Sequence, residues 1–287
     1  MNLRMILKSS LLVTLQNNFK KGLYITDLNG QNIEKPKIIF YEQDSSISKK
    51  IIEREIILLR HLELMQVSMI DSINSIINSS DKFIQLSILA KNGLPVPNTV
   101  CSPSGDFKKI VPHSDIRERC VTKYLDGCRG EQIFLSNSKN MLRDISGCLN
   151  HDLPYLFQEY IEYSKGRSLR VEVINNKICS TYMLERSDNT IQSNYSYNEN
   201  SKYFSCKNVT GKFPEAEDLA LKATKCIGLG ISGLDLLFQE DGSFTICEVN
   251  NNPALEWGDG TNIKAQEAII EMVYERLEII NNSSKSN

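Results

Sequence analysis

Asp235, Glu248 and Asn250 are the residues of this chain whose types and spacing best suit chemistry. Glu248 and Asn250 stand two apart in "ICEVNNNPALEW", residues 246 to 257, at the end of an apolar run. Side chains two apart on a strand share a face. Asp235 lies in "SGLDLLF", and the turn at Glu240–Gly242 reads as the bend of a hairpin joining the two runs. If that hairpin pairs in register, Asp235 faces Glu248 and Asn250. Two carboxylates and an amide oxygen make a hard-oxygen site that suits Mg²⁺, with Mn²⁺ as the alternative. Pro253 stops the strand, so the set lies at its open end. The same residues also read as a solvated acidic strand face that turns at "NNNP".

Candidate phosphate-binding groups precede this set. Lys123 sits mid-strand in "CVTKY", where a lone lysine can equally face solvent. The following "LDGCRGE" carries Gly127 and Gly130, three apart, which lets backbone N–H groups approach a phosphate. Two glycines in a turn are common, so this loop is weak evidence by itself. "FQEYIEYSKGRSLRV" then sets an extended segment beside Glu159, Glu162, Arg167 and Arg170. Its alternating N–H and C=O groups can read an adenine edge, and a carboxylate there can take ribose hydroxyls.

The elements that must hold these residues alternate between strand and helix. "LLVTL", "GLYITDL" and "PKIIFY" read as strands, and "KKIIEREIILLRHLELM" has helical periodicity. After a short strand in "VSMIDS", "SSDKFIQLSILAKNG" reads as a helix. Ser79 or Ser80 is its expected cap, Phe83, Leu86, Leu89 and Ala90 its apolar face, and Gly93 its end. Strands follow at "ERCVTKY", "QIFL", "YLFQEYI" and on both sides of the turn in "SLRVEVINNKICSTYML", with a helix expected over 136–149. Residues 187–208 are polar with few structural signals. "PEAEDLALKATKCIGLG" reads as a helix with Pro214 in its first turn, and "IKAQEAIIEMVYERLEII" as a closing amphipathic helix. The fold class is α/β or α+β, in more than one lobe.

Composition narrows the function. The chain has 287 residues, 41% hydrophobic and 24% charged, with a net charge of −2. That balance argues against a dominant nucleic-acid face. No apolar run approaches a membrane span of about 18 residues, and the N-terminus reads poorly as a signal peptide. The eight cysteines are scattered without a CxxC pair, which suggests reduced thiols and a cytoplasmic location. His61, His113 and His151 lie in polar surroundings without ligand spacing and read as surface or structural residues.

The order "DK…LAKNGLPVP", "VTKYLDGCRG", "QEYIEYSKGRSLRV", "GLDLL", "EVNNNPALEW" closely resembles the ATP-grasp superfamily, in its RimK-like branch of ribosomal-protein glutamate ligase and amino-acid ligase relatives. The resemblance runs from about residue 50 to residue 280. It implies a three-lobed fold with ATP between two antiparallel sheets: an N-terminal α/β domain over 1–80, a central lid with its connecting helix over 81–156, and a C-terminal lobe with the metal site over 157–287. It implies an ATP-dependent ligase that joins a carboxylate to an amine through an acyl-phosphate, releasing ADP and phosphate.

Carried over by position, Lys82 and Lys123 match the phosphate-binding lysines, and Gly127 and Gly130 the flexible loop over the phosphates. Gln158, Glu159, Tyr160 and Ile161 match the adenine hinge. Asp235, Glu248 and Asn250 match the metal ligands, and Arg170 matches an arginine facing the reacting groups. Ser168 stands where close relatives carry an aspartate, and Gln192 stands for an arginine, while Asn194 is retained. The segment around Tyr195, Tyr197 and Tyr203 is expected to line the acceptor site and to order over substrate. The implied partners are ATP, a carboxylate substrate, and an amine acceptor that is an amino acid, a small metabolite or a peptide. Neither nucleic acid nor membrane is expected, and a homo-oligomer is compatible with the reading. The alternatives are a peptide macrocyclase on the same fold and a non-catalytic ATP-binding regulatory protein.

Overall fold

Short apolar and β-branched runs near the N-terminus form strands, as their composition predicts. The computed structural model describes residues 11–15, 23–27, 29, 31–40, 49–112, 119–125, 133–187, 204–255 and 263–283. The chain divides into two units, residues 1–73 with 270–287, and residues 74–269.

In the first unit β1 (Leu11–Leu15), β2 (Leu23–Asp27) and β3 (Asn32–Ile33) form an antiparallel meander. β4 (Ile38–Phe40) pairs in parallel with β5 (Ser68–Ile70) across the crossover helix α1 (Lys49–Leu64). Ile25, Leu62 and Val67 are buried together there. His61, in the last turn of α1, is buried, so it is not a surface residue. α2 (Ile73–Ser80) is a helix that the sequence reading did not assign, having taken its last two residues as the cap of the next helix. Ser79 and Ser80 hydrogen-bond back to carbonyls within α2. The cap of α3 (Lys82–Lys91) is therefore Asp81, whose carboxylate accepts from the N–H groups of Phe83 and Ile84.

The second unit holds two antiparallel sheets. The first has the order β6 (Thr99–Cys101), β9, β7 (Cys120–Tyr124), β8 (Ile133–Ser136), with α4 (Lys139–Cys148) and β9 (Tyr155–Glu159) following in the chain. Phe107, Cys120, Leu142, Tyr155 and Phe157 make its core. Phe107 also stacks on His151. On the strands, Cys120 and Phe157 point to that core, so Lys123 and Gln158 point to the other face.

The second sheet has the order β12, β11, β10, β13, β14. β10 (Arg167–Ile174) and β11 (Lys177–Arg186) join at Asn175 and Asn176, both at positive φ. β12 (Phe204–Asn208) is an edge strand within the stretch expected to lack structure. α5 (Pro214–Ile227) lays Ala216, Ala220 and Ala223 on Leu169, Val171 and Val173, small residues that allow close approach. It ends at Gly228 (φ 86°), whose carbonyl accepts from Ser75 Oγ at 2.7 Å; a Cβ there would meet that oxygen at 2.9 Å. β13 (Ile231–Phe238) and β14 (Phe244–Asn250) form the expected hairpin, and α6 (Ile263–Ser283) closes the described chain. Among the described residues, no helix is long and apolar enough to cross a membrane.

Candidate active site

The hairpin register sets the site. Asp235 pairs with Glu248 and Gly233 with Asn250, whereas Leu236 pairs with Ile246. Cys247 is therefore the extra residue of a β-bulge. Strict alternation would place Ile246 and Glu248 on one face. The bulge instead lets Ile246 and Val249 both enter the core, while Glu248 and Asn250 share the opposite face with Asp235. Bulges of this kind re-aim side chains at functional sites.

β14 is an edge strand of this sheet, and its outer backbone groups are satisfied by side chains and loops. The Val249 N–H donates to Gln85 Oε1 at 2.7 Å. Gln85 Nε2 donates to Val249 O at 3.2 Å and to Ser79 O at 2.9 Å. The Ile246 N–H donates to Pro95 O at 2.9 Å. Gln85 is buried on the core side of α3 beside Leu86 and Leu89, where Ala90 had been expected; Ala90 is exposed. The sequence reading missed it, and its only signal is a polar residue within an apolar helix face.

Three cations converge on this face. Lys82, the first residue of α3, places Nζ 3.1 Å from Glu248 Oε1 and donates to Leu125 O at 3.4 Å. Lys123 donates to Gln158 Oε1 at 2.8 Å and lies 3.5 Å from Cys247 Sγ, so the solvent-facing alternative does not hold. Gln158 is itself fixed by Thr99 Oγ1 at 3.0 Å. Arg170 Nη1 donates to both oxygens of Asp235 at 3.1 Å, and both side chains are under a tenth exposed. Gly233 makes room for that arginine: a Cβ would stand 2.6 Å from Arg170 Nη2 and 2.6 Å from Pro253 Cβ. Asn250 Nδ2 donates to Gly233 O at 3.3 Å and toward Asp235 Oδ2 at 3.4 Å. Burial alone would raise the Glu248 carboxyl. The Lys82 ammonium, with Lys123 and Arg170 beyond it, outweighs that and holds it below its ordinary value.

The residues expected to form the hinge end β9, at Gln158 and Glu159, and follow it, at Tyr160 and Ile161. Glu159 is turned away from the cations, accepting from the Asn98 N–H at 3.1 Å and Asn98 Nδ2 at 3.0 Å. The Tyr160 N–H donates to Arg119 O at 3.3 Å, and the Ile161 carbonyl accepts from Ser164 N–H at 3.1 Å. Arg119 lies over the Tyr160 ring and pairs with Glu162. Arg167 packs over Tyr163 and Phe238, apart from the Arg170 cluster. The Ser168 hydroxyl is buried on the Arg170 face with no hydrogen-bond partner among the described residues. Gly127, Gly130, Gln192, Asn194, Tyr195, Tyr197 and Tyr203 lie outside the described residues, as does His113.

Asp235, Glu248 and Asn250, expected from the sequence as a hard-oxygen set, thus share one face of the hairpin. Among the described residues no group of three or more His, Cys, Asp or Glu could hold a metal ion. The seven described cysteines are all free thiols.

Comparisons with known proteins bear on the family and the fold. Residues 79–273 match the RimK-like ATP-grasp domain. Beta-citrylglutamate synthase B of Homo sapiens is 33% identical over 202 residues, a match covering 70% of this chain and 51% of that protein. The chain thus spans about half the length of that relative. The "Probable alpha-L-glutamate ligase" of Legionella pneumophila (strain Corby) is 28% identical over 229 residues, covering 79% of this chain and 74% of that protein. The solved ATP-grasp ligase PsnB, complexed with minimal precursor, Mg and ADP, superposes with a TM-score of 0.60 at 18% identity. That match covers 92% of this chain and 85% of PsnB, and so shares the α+β fold. A match over residues 79–273, the region that holds every described site residue, means that the chain belongs to the RimK-like ATP-grasp family.

Proposed function

We propose that the chain is an ATP-dependent carboxylate–amine ligase. The observation that carries this reading is the pairing of Asp235 with Glu248 on a sheet face that also receives Lys82, Lys123 and Arg170. Such a face binds a polyphosphate and a divalent cation together and suits no apolar ligand. Asp235, Glu248 and Asn250 would hold Mg²⁺, and the donor set fits it: two carboxylates and a neutral oxygen, with the remaining positions left to phosphate and water. When bound, Mg²⁺ neutralises charge on the phosphate oxygens.

The chain's own residues do the rest. Lys82 and Lys123 hold the phosphates, and Gln158 fixes the direction of the Lys123 ammonium. Arg170 offers its guanidinium to the charge that builds on the transferring phosphoryl group. In the first step a substrate carboxylate oxygen attacks the terminal phosphorus, and ADP leaves. In the second, an amine attacks the acyl-phosphate carbon, inorganic phosphate leaves, and the amine loses a proton. The Gln158–Ile161 segment is the adenine-reading hinge of this proposal. The resemblance of the Legionella glutamate ligase and of the citrylglutamate synthase supports an amino acid as one of the two substrates.

ADP release measured with Mg²⁺ and ATP against a panel of carboxylates, amino acids and short peptides tests the proposal. Turnover that requires both a carboxylate and an amine, with an amide product by mass, is expected. ADP release indifferent to both would make the chain a simple ATPase or a nucleotide-binding protein.

A further inference from the structure

We propose that Asn98 and Glu159 are positioning residues: they lock a proline strap between the two sheets of the second unit and so set where Lys123 stands relative to Glu248. The inference rests on the ligase reading above. The strap is residues 94–99, which connect α3 to β6. Pro95 and Pro97 fix their own φ and hold the residues before them extended, so the stretch is stiff and rises about 3.1 Å per residue. Its first half belongs to the second sheet. Leu94 and Val96 pack against the buried cluster that includes Leu89, Leu234 and Val249. The Ile246 N–H donates to Pro95 O at 2.9 Å. Its second half belongs to the first sheet. The Glu159 N–H donates to Asn98 O at 2.9 Å. The Asn98 N–H and Nδ2 each donate to one oxygen of the Glu159 carboxylate, at 3.1 and 3.0 Å. Thr99 Oγ1 donates to Pro97 O at 2.8 Å and accepts from Gln158 Nε2 at 3.0 Å.

These bonds close a ring. From Pro95 it runs through Asn98 and Thr99 to Gln158, which holds Lys123 at 2.8 Å. Lys123 reaches Sγ of Cys247 at 3.5 Å, and Cys247 follows Ile246, where the ring began. Lys123 comes from one sheet and Glu248 from the other, yet in the ligase reading they act on one phosphate chain and its metal. A misplacement of about 1 Å at such a site can cost about a hundredfold in rate. The strap is the part of the ring that sets this spacing, and its hold on the first sheet is at Asn98. Three bonds join Asn98 to Glu159, two of them to a carboxylate, which makes that end firm. The sequence offers Glu159 as a carboxylate for ribose hydroxyls. Alternation along β9 turns it away from Gln158, and both its oxygens accept from Asn98. Glu159 therefore acts through the strap, and not on the nucleotide.

The test is calorimetry of the full chain with ATP and Mg²⁺, without carboxylate or amine, together with amide exchange read residue by residue. Asn98→Asp sets two carboxylates face to face. It is expected to weaken ATP binding about tenfold and to speed exchange at both the Glu159 and the Ile246 amides. Adding Glu159→Gln restores both side-chain bonds with one donor reversed. The new side-chain amide donates to the new carboxylate, and its oxygen accepts from the N–H of residue 98. Affinity and exchange should return to within about threefold of wild type. If the Glu159 carboxylate itself binds nucleotide, Glu159→Gln loses affinity and the double variant does not regain it, which overturns the positioning role. If the clamp serves stability alone, Asn98→Asp lowers the melting temperature and leaves ATP affinity unmoved, which also overturns it. Should Asn98→Asp fail to fold, Asn98→Ala removes one exposed bond without repulsion. It should weaken ATP binding about threefold, and cost nothing further in the Glu159→Gln background; additive losses overturn the clamp. Exchange at Ile246 that stays at the wild-type rate in Asn98→Asp overturns the strap alone. No ATP binding by wild type under any condition overturns the ligase reading, and the positioning role with it.

Discussion

Gln85 and Val249 are joined by a reciprocal pair of hydrogen bonds, side-chain amide to backbone amide, at 2.7 and 3.2 Å. The residue bonded lies between Glu248 and Asn250. A side chain on α3 therefore completes the outer ladder of β14 at the point where two proposed metal ligands leave it. Lys82, three residues before Gln85, reaches Glu248 from the same helix. One helix thus fixes both the backbone and the charge of this strand.

Gln85→Leu is expected to lower stability by about 3 kcal/mol, because the Val249 N–H and C=O lose their buried partner. Denaturant unfolding measures it. Gln85→Glu keeps the acceptor for the Val249 N–H and loses the two donated bonds. It places a carboxylate against carbonyl oxygens, so it too should destabilise. An unfolding midpoint unchanged in both variants would mean that the strand edge does not need the amide.

Much of this site was legible in the sequence, and the rest failed for physical reasons. The alternation of "SGLDLLF" and "TICEVN" around an Asp-Gly turn announces the hairpin, and the bulge then sets Asp235 opposite Glu248. The bulge at Cys247 was not legible, since a one-residue insertion leaves no mark on a short apolar–polar run. Gln85 was missed because a polar residue in a helix reads as solvent-facing until its partner is known. The Asp81 cap was assigned to serines because α2 and α3 abut without a linker, and the serines bond within α2. β12 was missed because an edge strand with exposed residues carries no apolar alternation. The Lys82–Glu248 and Arg170–Asp235 pairs span 166 and 65 positions of sequence, and only folding reveals them.

Gly233→Ala should disturb the arginine while leaving the sheet folded. The added Cβ meets the guanidinium and the Pro253 ring at 2.6 Å, closer than real contacts allow. Overpacking of this kind costs about 1–3 kcal/mol. ADP release should fall at least about tenfold as Arg170 is pushed from Asp235. Activity equal to wild type would show that the arginine position is not critical.

The thiols should separate by burial. Burial pushes Cys120 and Cys179 up to about 11 from the ordinary 9.0, whereas Cys148 is exposed. Alkylation of the native chain near pH 8, read by peptide mass, should modify Cys148 well before Cys120 or Cys179. The sign of the stability effect follows. In the unfolded chain these thiols ionise from about pH 9, whereas in the folded chain they stay neutral up to about pH 11. Their contribution is therefore complete below pH 9 and is lost as pH rises through that window. A Cys120→Ala variant should show a shallower loss of stability between pH 9 and 11 than wild type. Equal slopes would place the alkaline sensitivity elsewhere.

Lys123 distinguishes a ligand-binding lysine from a structural one. Its ammonium donates to Gln158 Oε1 at 2.8 Å, and Gln158 is nearly fully buried. Gln158 in turn donates to Thr99 Oγ1, so the lysine ends a polar chain that crosses β9 to β6. Lys123→Met keeps the aliphatic stem and removes the charge and the donor. One buried acceptor then loses its partner, which costs about 1–2 kcal/mol without ligand. If the lysine also holds phosphate, the loss in the presence of Mg²⁺ and ATP must be larger, because the stabilisation that a ligand confers falls with its affinity. The expected result is a nucleotide affinity lower by at least about tenfold, equivalent to about 1.4 kcal/mol, and a smaller rise in melting temperature on adding Mg²⁺ and ATP. A companion variant, Gln158→Leu, removes the acceptor but keeps the charge. It should bind nucleotide more weakly than wild type and more tightly than Lys123→Met, since the ammonium remains but is no longer aimed. If Lys123→Met lowers the melting temperature equally with and without Mg²⁺ and ATP, the lysine serves the sheet and not the nucleotide.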